Sequence, residues 1–437
     1  MKVVIIGGGA AGMTAASRIK SIQPRWDVTV FEATNFVSHA PCGIPYLVEG
    51  LVPSAEDLMY YTANFFKEKR GINVKLNSRV IEADTGFVRV DENGSEKKYE
   101  WDKLIIATGS LPRLPAIDGI DCDKVFTVHH PADADKLKKH LLDAKKVVII
   151  GAGYIGLEMS EALLTQKKQV TLIGIYDYPL PRFDEEIGNL IKDRMGKEID
   201  LRMRENVKQI EDLKDGVRVV TDKSEYKTDI VVVSIGARPN VELAKQLGCK
   251  IGETGAIWTN DRMQTNVEDV YAAGDCAETV HMITKKRVWI PLAPSGNKMG
   301  YVAGVNAAGG DLRFPGVLGT QFTKFLDMEI ASTGLTEKAA KNEGYNIKSV
   351  FIHTKTRVHY YPDARDLWLK VVAENKTNRI LGAQAVGSEA ALRINVFAAI
   401  IYANLTTKDA FFLDLGYAPP FSPIWDPIVI SARVLKF

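Results

Sequence analysis

Cysteine is scarce in this chain, with four among 437 residues: Cys42, Cys122, Cys249 and Cys276. They stand far apart, with no C-x-x-C pair and no histidine at metal-ligand spacing. Neither a disulfide framework nor a metal site is expected. A lone cysteine is by default a small buried hydrophobe, and that reading is kept for Cys122, Cys249 and Cys276. An excess of one charge is also missing. Lys and Arg total 56 and Asp and Glu 54, a net charge of +2, which argues against nucleic acid as the main partner. No apolar run is long enough for a membrane span, and no secretory leader precedes the first strand, so a cytoplasmic location away from membranes is expected.

What is present is an ordinary globular balance, 46% hydrophobic and 25% charged, on a chain too long for one core. One pattern occurs twice. The apolar strand Lys2–Ile6 runs into Gly7-Gly8-Gly9-Ala10-Ala11-Gly12 and a small-residue helix. Residues 147–150 run into Gly151-Ala152-Gly153-Tyr154-Ile155-Gly156 and a second helix. A further strand follows each helix, at 28–31 and 169–173. These are two βαβ units, each opening a doubly wound α/β sheet. From about residue 325 the glycine pattern stops. Alternating strands at 350–353, 367–372 and 380–386 and a helix at 390–404 predict a third, α+β domain.

Gly7, Gly9 and Gly12 fit G-x-G-x-x-G between strand and helix. The first permits the turn, the second admits a pyrophosphate, and the third lets helix and sheet touch. Glu32, at the end of the next strand, would accept hydrogen bonds from a ribose diol. Gly151, Gly153 and Gly156 are placed in the same way, so two dinucleotides are expected. One is held and one exchanges, as in a flavoprotein reduced by a nicotinamide. The second unit has Gly174 at the acid position, followed by Ile175-Tyr176-Asp177. NADH and NADPH are therefore not distinguished.

With Ala107-Thr108-Gly109, the run from Ser234 to Asn240, and Gly274-Asp275, the chain resembles the two-dinucleotide flavoprotein disulfide reductases over its whole length. The resemblance implies FAD and NADH or NADPH. It gives Asp275 the FAD ribityl chain and extends the FAD contacts to Ala10, Ala11, Ala33, Ser38 and His39. Val80, Thr108, Gly109 and Ala293 join them. On the nicotinamide side it adds Tyr154, Ile155 and Gly236. The implied division is 1–115 with 251–324 for FAD, 116–250 for NAD(P), and 325–437 for dimerisation.

Cys42 has no second cysteine five residues on. The chain therefore resembles the single-cysteine branch, which includes NADH oxidases, NADH peroxidases and coenzyme A disulfide reductases. Peroxide-handling members place a histidine in the first glycine turn, where this chain has Gly9-Ala10-Ala11-Gly12. Ser38-His39-Ala40-Pro41-Cys42 resembles the S-F-x-x-C signature of coenzyme A disulfide reductases, with His39 in place of Phe and packing favoured as its role. In those enzymes two tyrosines of the partner subunit reach the sulfur. Tyr417 and either Tyr360 or Tyr361 carry that expectation, and with it a homodimer.

The implied reaction reduces a mixed disulfide between Cys42 and coenzyme A, so that coenzyme A disulfide is the expected substrate. Cys42 must act as thiolate, so a helix starting near Gly43 and a tyrosine hydroxyl are expected to lower its pKa. Arg18, Lys20 and Arg70 would meet the phosphates. Pro41, Tyr60, Tyr61 and Asn297 would line the pantetheine path. Reduction of polysulfide, elemental sulfur or persulfide, and NADH oxidation by oxygen, are the alternatives. Some relatives append a rhodanese-like domain, for which 437 residues leave no room.

Overall fold

The computed structural model describes residues 1–436. Two five-stranded parallel sheets carry the glycine turns. In the first, Lys2–Ile6 is central, with Asp27–Phe31 then Asn73–Lys75 on one side and Lys103–Ile106 then Val270–Ala272 on the other. In the second, Lys146–Ile150 is central, between Gln169–Gly174 and Ile230–Val233, with Asp200–Met203 and Val125–Thr127 at the edges. Both central strands are buried beyond their first residue. A parallel sheet covered on both faces demands this, and it explains the unbroken apolar runs. Each glycine turn therefore lies at the point where strand order diverges, the usual ligand crevice of such sheets.

Two antiparallel meanders, 78–100 and 207–228, complete the units. The units are joined through a short ribbon in which Ser110–Pro112 pairs antiparallel with Ala237–Pro239. The third sheet is antiparallel, in the order Gln321–Phe325, Met328–Gly334, Ile380–Gly387, Asp366–Glu374, Ile347–Lys355. The helices Ala390–Tyr402 and Pro427–Leu435 pack on it.

The third sheet also packs on the second unit. Phe325, Met328, Ile330 and Val386 share a core with Leu157, Ile187 and Ile191. A charge cluster sits in that seam. The Lys370 ammonium, almost fully buried, lies 2.9 Å from Glu186 and Glu337 and 3.5 Å from Asp184. Gln384 donates to Asp184 at 2.5 Å. A buried ammonium must be paired, and three carboxylates from two regions of the chain do so here. Among the described residues no helix is long and apolar enough to cross a membrane.

Candidate active site

The first glycine turn is shaped by backbone contact. Gly7 has φ of 106°. A side chain there would strike the Ala107 carbonyl, and one at Gly12 would strike the Gly7 carbonyl. At Gly9 nothing stands within 4 Å of where a Cβ would be. The helix Ala10–Ile22 that follows has no side-chain cap and no acidic residue in its first turn. Its free N–H groups and positive dipole end face that gap, which suits a pyrophosphate. Glu32 is buried and braces the turn, accepting from the Gly8 N–H at 2.9 Å and from the Thr34 N–H and hydroxyl at 2.9 and 2.8 Å. Ala33 beside it is exposed, while Val80 is buried.

Distant segments converge on this turn. Gly274 sits so close to Ala11 that a Cβ on it would come within 2.9 Å of the alanine side chain. Gly300 and Gly304, on the helix Ala293–Ala307, abut the backbone of Ala11 and Ala15. The Asp275 carboxyl is raised by burial and receives the Ser110 hydroxyl at 3.3 Å. Its own carbonyl accepts from the Trp289 indole at 2.7 Å. Thr108 donates to the Asn240 carbonyl at 2.7 Å, and Gly109 accepts from the Asn240 N–H at 3.0 Å. An open glycine cradle, a bare helix start and a desolvated carboxyl fit the FAD that the motifs imply.

Cys42 lies in the single turn Pro41–Gly43, which leads directly into the helix Ile44–Glu49. The segment before it runs beside residues 58–60. Ala40 donates to the Leu58 carbonyl at 2.9 Å and Tyr60 to the Ser38 carbonyl at 3.0 Å. Ser38 has φ of 50°, a left-handed conformation that surrounding structure must enforce. Cys42 keeps an exposed face, yet its pKa is raised, first by desolvation, then by Glu158 and Asp275. The sequence argument expected the opposite. The helix start contributes only the backbone hydrogen bond at Cys42 itself, and protein mass plus two carboxyl groups outweigh it.

His39 packs edge-on to His130, with ring centroids 4.9 Å apart. Burial, then His130, holds it down to about 4. The ring is neutral at physiological pH and packs as an aromatic, while its buried Nδ1 has no hydrogen-bond partner among the described residues. His130 caps the helix Pro131–Leu141, accepting from the Ala132 N–H at 3.2 Å. Sequence reasoning identified neither His130 nor this helix. Of the remaining cysteines, Cys249 and Cys276 are buried as expected, but Cys122 is only half-buried, in a surface loop beside Asp212.

The second glycine turn repeats the first. Gly151 has φ of 113° and Gly236, opposite it, 109°. Gly153 ends an uncapped helix start at Tyr154, and Ile155 is exposed there. The Tyr154 hydroxyl is pushed far above its usual range by burial. Glu158, one turn on, escaped sequence reasoning. An acid among apolar neighbours on that helix was the available signal. Burial raises it to about 7, and the Thr323 hydroxyl donates to it at 2.9 Å.

The expected substrate contacts fall into two local groups, one on the helices Ala10–Ile22 and Ala293–Ala307 and one at residues 60–70. Arg18 lies over the Tyr301 ring at 4.8 Å, with Nε buried and unpaired. Asn297 accepts from Thr14 at 2.9 Å. Tyr61 stacks on Phe65 at 4.5 Å, Arg70 covers both rings, and Tyr60 is exposed. Lys20 departs from these contacts. Its ammonium is spent on the Pro24 and Trp26 carbonyls at 2.6 and 2.9 Å, where it ties down the end of its own helix.

Tyr360 acts on Tyr417 and raises its hydroxyl above the ordinary tyrosine range. Tyr361 instead donates its N–H to the Val358 carbonyl and stays half-buried. Arg393 joins the two tyrosine loops. It donates to the Thr356 carbonyl at 3.0 Å and to Glu389 at 3.1 Å, and its Nε lies 3.4 Å from Asp426. Asp426 in turn caps the helix Pro427–Leu435. Arg357 pairs with Glu389 from the Tyr360 side.

The pyridine nucleotide-disulphide oxidoreductase family matches residues 1–300, and the dimerisation domain of that family matches residues 320–427. The chain is 57% identical to an "NAD(P)H coenzyme A polysulfide/persulfide reductase" of Pyrococcus horikoshii, over 100% of this chain and 98% of that protein. It is 29% identical to a "Coenzyme A disulfide reductase" of Staphylococcus haemolyticus, over 96% of each. The solved structure of an NAD-dependent persulfide reductase from A. fulgidus superposes with a TM-score of 0.96 at 40% identity, over 99% of this chain and 83% of that one. Two glycine cradles, an exposed cysteine at Cys42 and these matches lead to one assignment: the chain belongs to the pyridine nucleotide-disulphide oxidoreductase family, flavoproteins that use FAD and NAD(P)H.

Proposed function

We propose that this chain reduces sulfane sulfur carried on coenzyme A, using NAD(P)H through FAD, with Cys42 as the redox-active residue. The single observation that carries the reading is that Cys42 is exposed while Cys249 and Cys276 are buried and Cys122 lies in a surface loop of the second unit. No protein thiol is available to resolve a disulfide on Cys42, so the substrate must bring the second sulfur.

In this reading the first unit, 1–115 with 251–324, holds FAD, 116–250 holds the nicotinamide dinucleotide, and 325–437 forms a homodimer. FAD, when bound, passes the two electrons of the nicotinamide to the sulfur. The Cys42 thiolate attacks the inner sulfur of a coenzyme A persulfide, forming a Cys42–coenzyme A disulfide and releasing hydrosulfide. Two electrons then cleave that bond, and one proton goes to coenzyme A, restoring the Cys42 thiolate. Because the isolated chain favours the thiol, the thiolate needs donors aimed at it. The tyrosine pair of the second subunit would supply them. Arg18, Arg70, Tyr60, Tyr61 and Asn297 would hold coenzyme A.

Reduction of coenzyme A disulfide, the first expectation from sequence, passes through the same mixed disulfide and differs only in the group expelled. It takes second place because the relative acting on persulfide is 57% identical and the coenzyme A disulfide reductase 29%. The test compares coenzyme A persulfide, polysulfide, coenzyme A disulfide and oxygen as oxidants of the NADH-reduced protein. Sulfane sulfur should give the highest kcat/KM. Faster turnover of coenzyme A disulfide, or rapid NADH consumption in air alone, would reverse the order. Cys42→Ser should keep the yellow flavin and lose all sulfur reduction, and mass spectrometry should find a coenzyme A adduct on the unaltered chain.

A further inference from the structure

The second dinucleotide unit lacks the carboxylate that selects NADH at the end of its second strand, and the structure shows why one is excluded there. Gly174 ends the strand Gln169–Gly174. A Cβ at Gly174 would come within 2.8 Å of Met203 and 2.9 Å of Ala152, so any acid there would displace both neighbours. The first carboxylate past the strand is Asp177, and its partner is Arg204, whose Nε–H points at Oδ1.

Arg204 comes from the adjacent strand. Asp200–Met203 runs parallel to Gln169–Gly174 with Met203 beside Gly174. Arg204 is the next residue, at the same C-terminal edge of the sheet. Its N–H donates to the Tyr176 carbonyl at 2.9 Å, and the Glu205 N–H donates to Gly174 at 3.0 Å. The two loops are thus held together over the crevice. Arg204 has φ of 58°, a left-handed conformation rare outside glycine. Its side chain is 71% exposed and that of Asp177 59%. The carboxylate occupies one of the five guanidinium N–H groups and leaves the others to solvent.

We infer that Arg204 is the receptor for the 2′-phosphate of NADPH and Asp177 its exchangeable partner, so that this pair makes the chain accept both nicotinamide dinucleotides. With NADPH the phosphate takes the guanidinium from Asp177, as a dianion outcompetes an exposed carboxylate. With NADH the ion pair stays closed, and Asp177 has free lone pairs for the ribose diol. Arg182, the arginine of the loop that follows the strand, acts on the Tyr154 hydroxyl and serves as a control. The inference rests on the reading that the Gly151 turn holds the nicotinamide dinucleotide.

The experiment measures flavin reduction by NADH and by NADPH in the FAD-loaded protein, together with competition by adenosine 2′,5′-bisphosphate and by AMP. Arg204→Ala should weaken NADPH and the bisphosphate by about tenfold to a hundredfold, the weight of one charge-assisted contact. NADH and AMP should stay within about threefold, since exposed pairs contribute little. Arg204→Lys should restore part of the loss, and Arg182→Ala should not separate the two nucleotides. Equal losses for NADH and NADPH in Arg204→Ala, or no loss for either, would overturn the inference. Failure of the unaltered protein to be reduced by either nucleotide would instead refute the underlying reading.

Discussion

Tyr360 and Tyr417, on two separate loops of the third domain, act on one another, Tyr360 raising the Tyr417 hydroxyl. When one phenol donates to the other, the second keeps its own O–H, so the pair can present one hydroxyl proton to a third group. If the pair meets Cys42 of a second subunit, that proton stabilises the thiolate and serves the departing coenzyme A sulfur. Tyr360→Phe and Tyr417→Phe should each lower sulfur turnover by about a hundredfold, a typical weight for a positioned proton donor. Flavin reduction by NADH, followed by rapid mixing, should be unchanged. Tyr361→Phe should have no comparable effect.

Arg393 predicts a combined loss. It is almost wholly buried and faces Glu389 and Asp426 while holding the Thr356 carbonyl. Arg393→Met leaves both acids without this partner and should destabilise the protein by about 3 kcal/mol in denaturant unfolding. It also frees both tyrosine loops. Turnover with sulfur should therefore fall at temperatures where the variant is still folded, with NADH-driven flavin reduction intact.

Glu158 yields a pH signature. Its folded value of about 7 stands above the ordinary 4.5, because burial disfavours the carboxylate. The folded protein holds this proton more tightly than the unfolded chain. The stability from that protonation is complete below pH 4.5 and is lost as pH rises through 7. Glu158→Gln should thus be more stable than the parent at pH 8, by about 2 to 3 kcal/mol, and equal to it at pH 4. Because Glu158 raises the Cys42 thiol, the variant should also reach half-maximal thiolate at a lower pH, read from ultraviolet thiolate absorbance.

The features legible in the sequence were those fixed over short stretches of chain. Gly7 and Gly151 announce themselves because turn geometry and close backbone approach constrain a few consecutive residues. The long parallel strands show as unbroken apolar runs for the same local reason. That Tyr360 rather than Tyr361 acts on Tyr417 was hidden, since it depends on where the Tyr417 loop is carried. So were the His39–His130 contact, the Arg393 clamp and the Asp177–Arg204 pair, each joining residues from separate elements. The helix start beside Cys42 is visible in sequence, whereas the burial of the thiol and the charges of Glu158 and Asp275 that act on it are not.

The sheet that carries the first glycine turn takes its last strand, Val270–Ala272, from far along the chain, and the helix that braces the turn begins only at Ala293. During synthesis the edge of Lys103–Ile106 stays unpaired while the whole second unit is made. Closing that long loop is slow and leaves an adhesive strand edge in the meantime. If the first glycine turn holds the flavin, its capture is a late step in the birth of this protein, and a ribosome-stalled chain ending before residue 270 should emerge colourless and prone to clump.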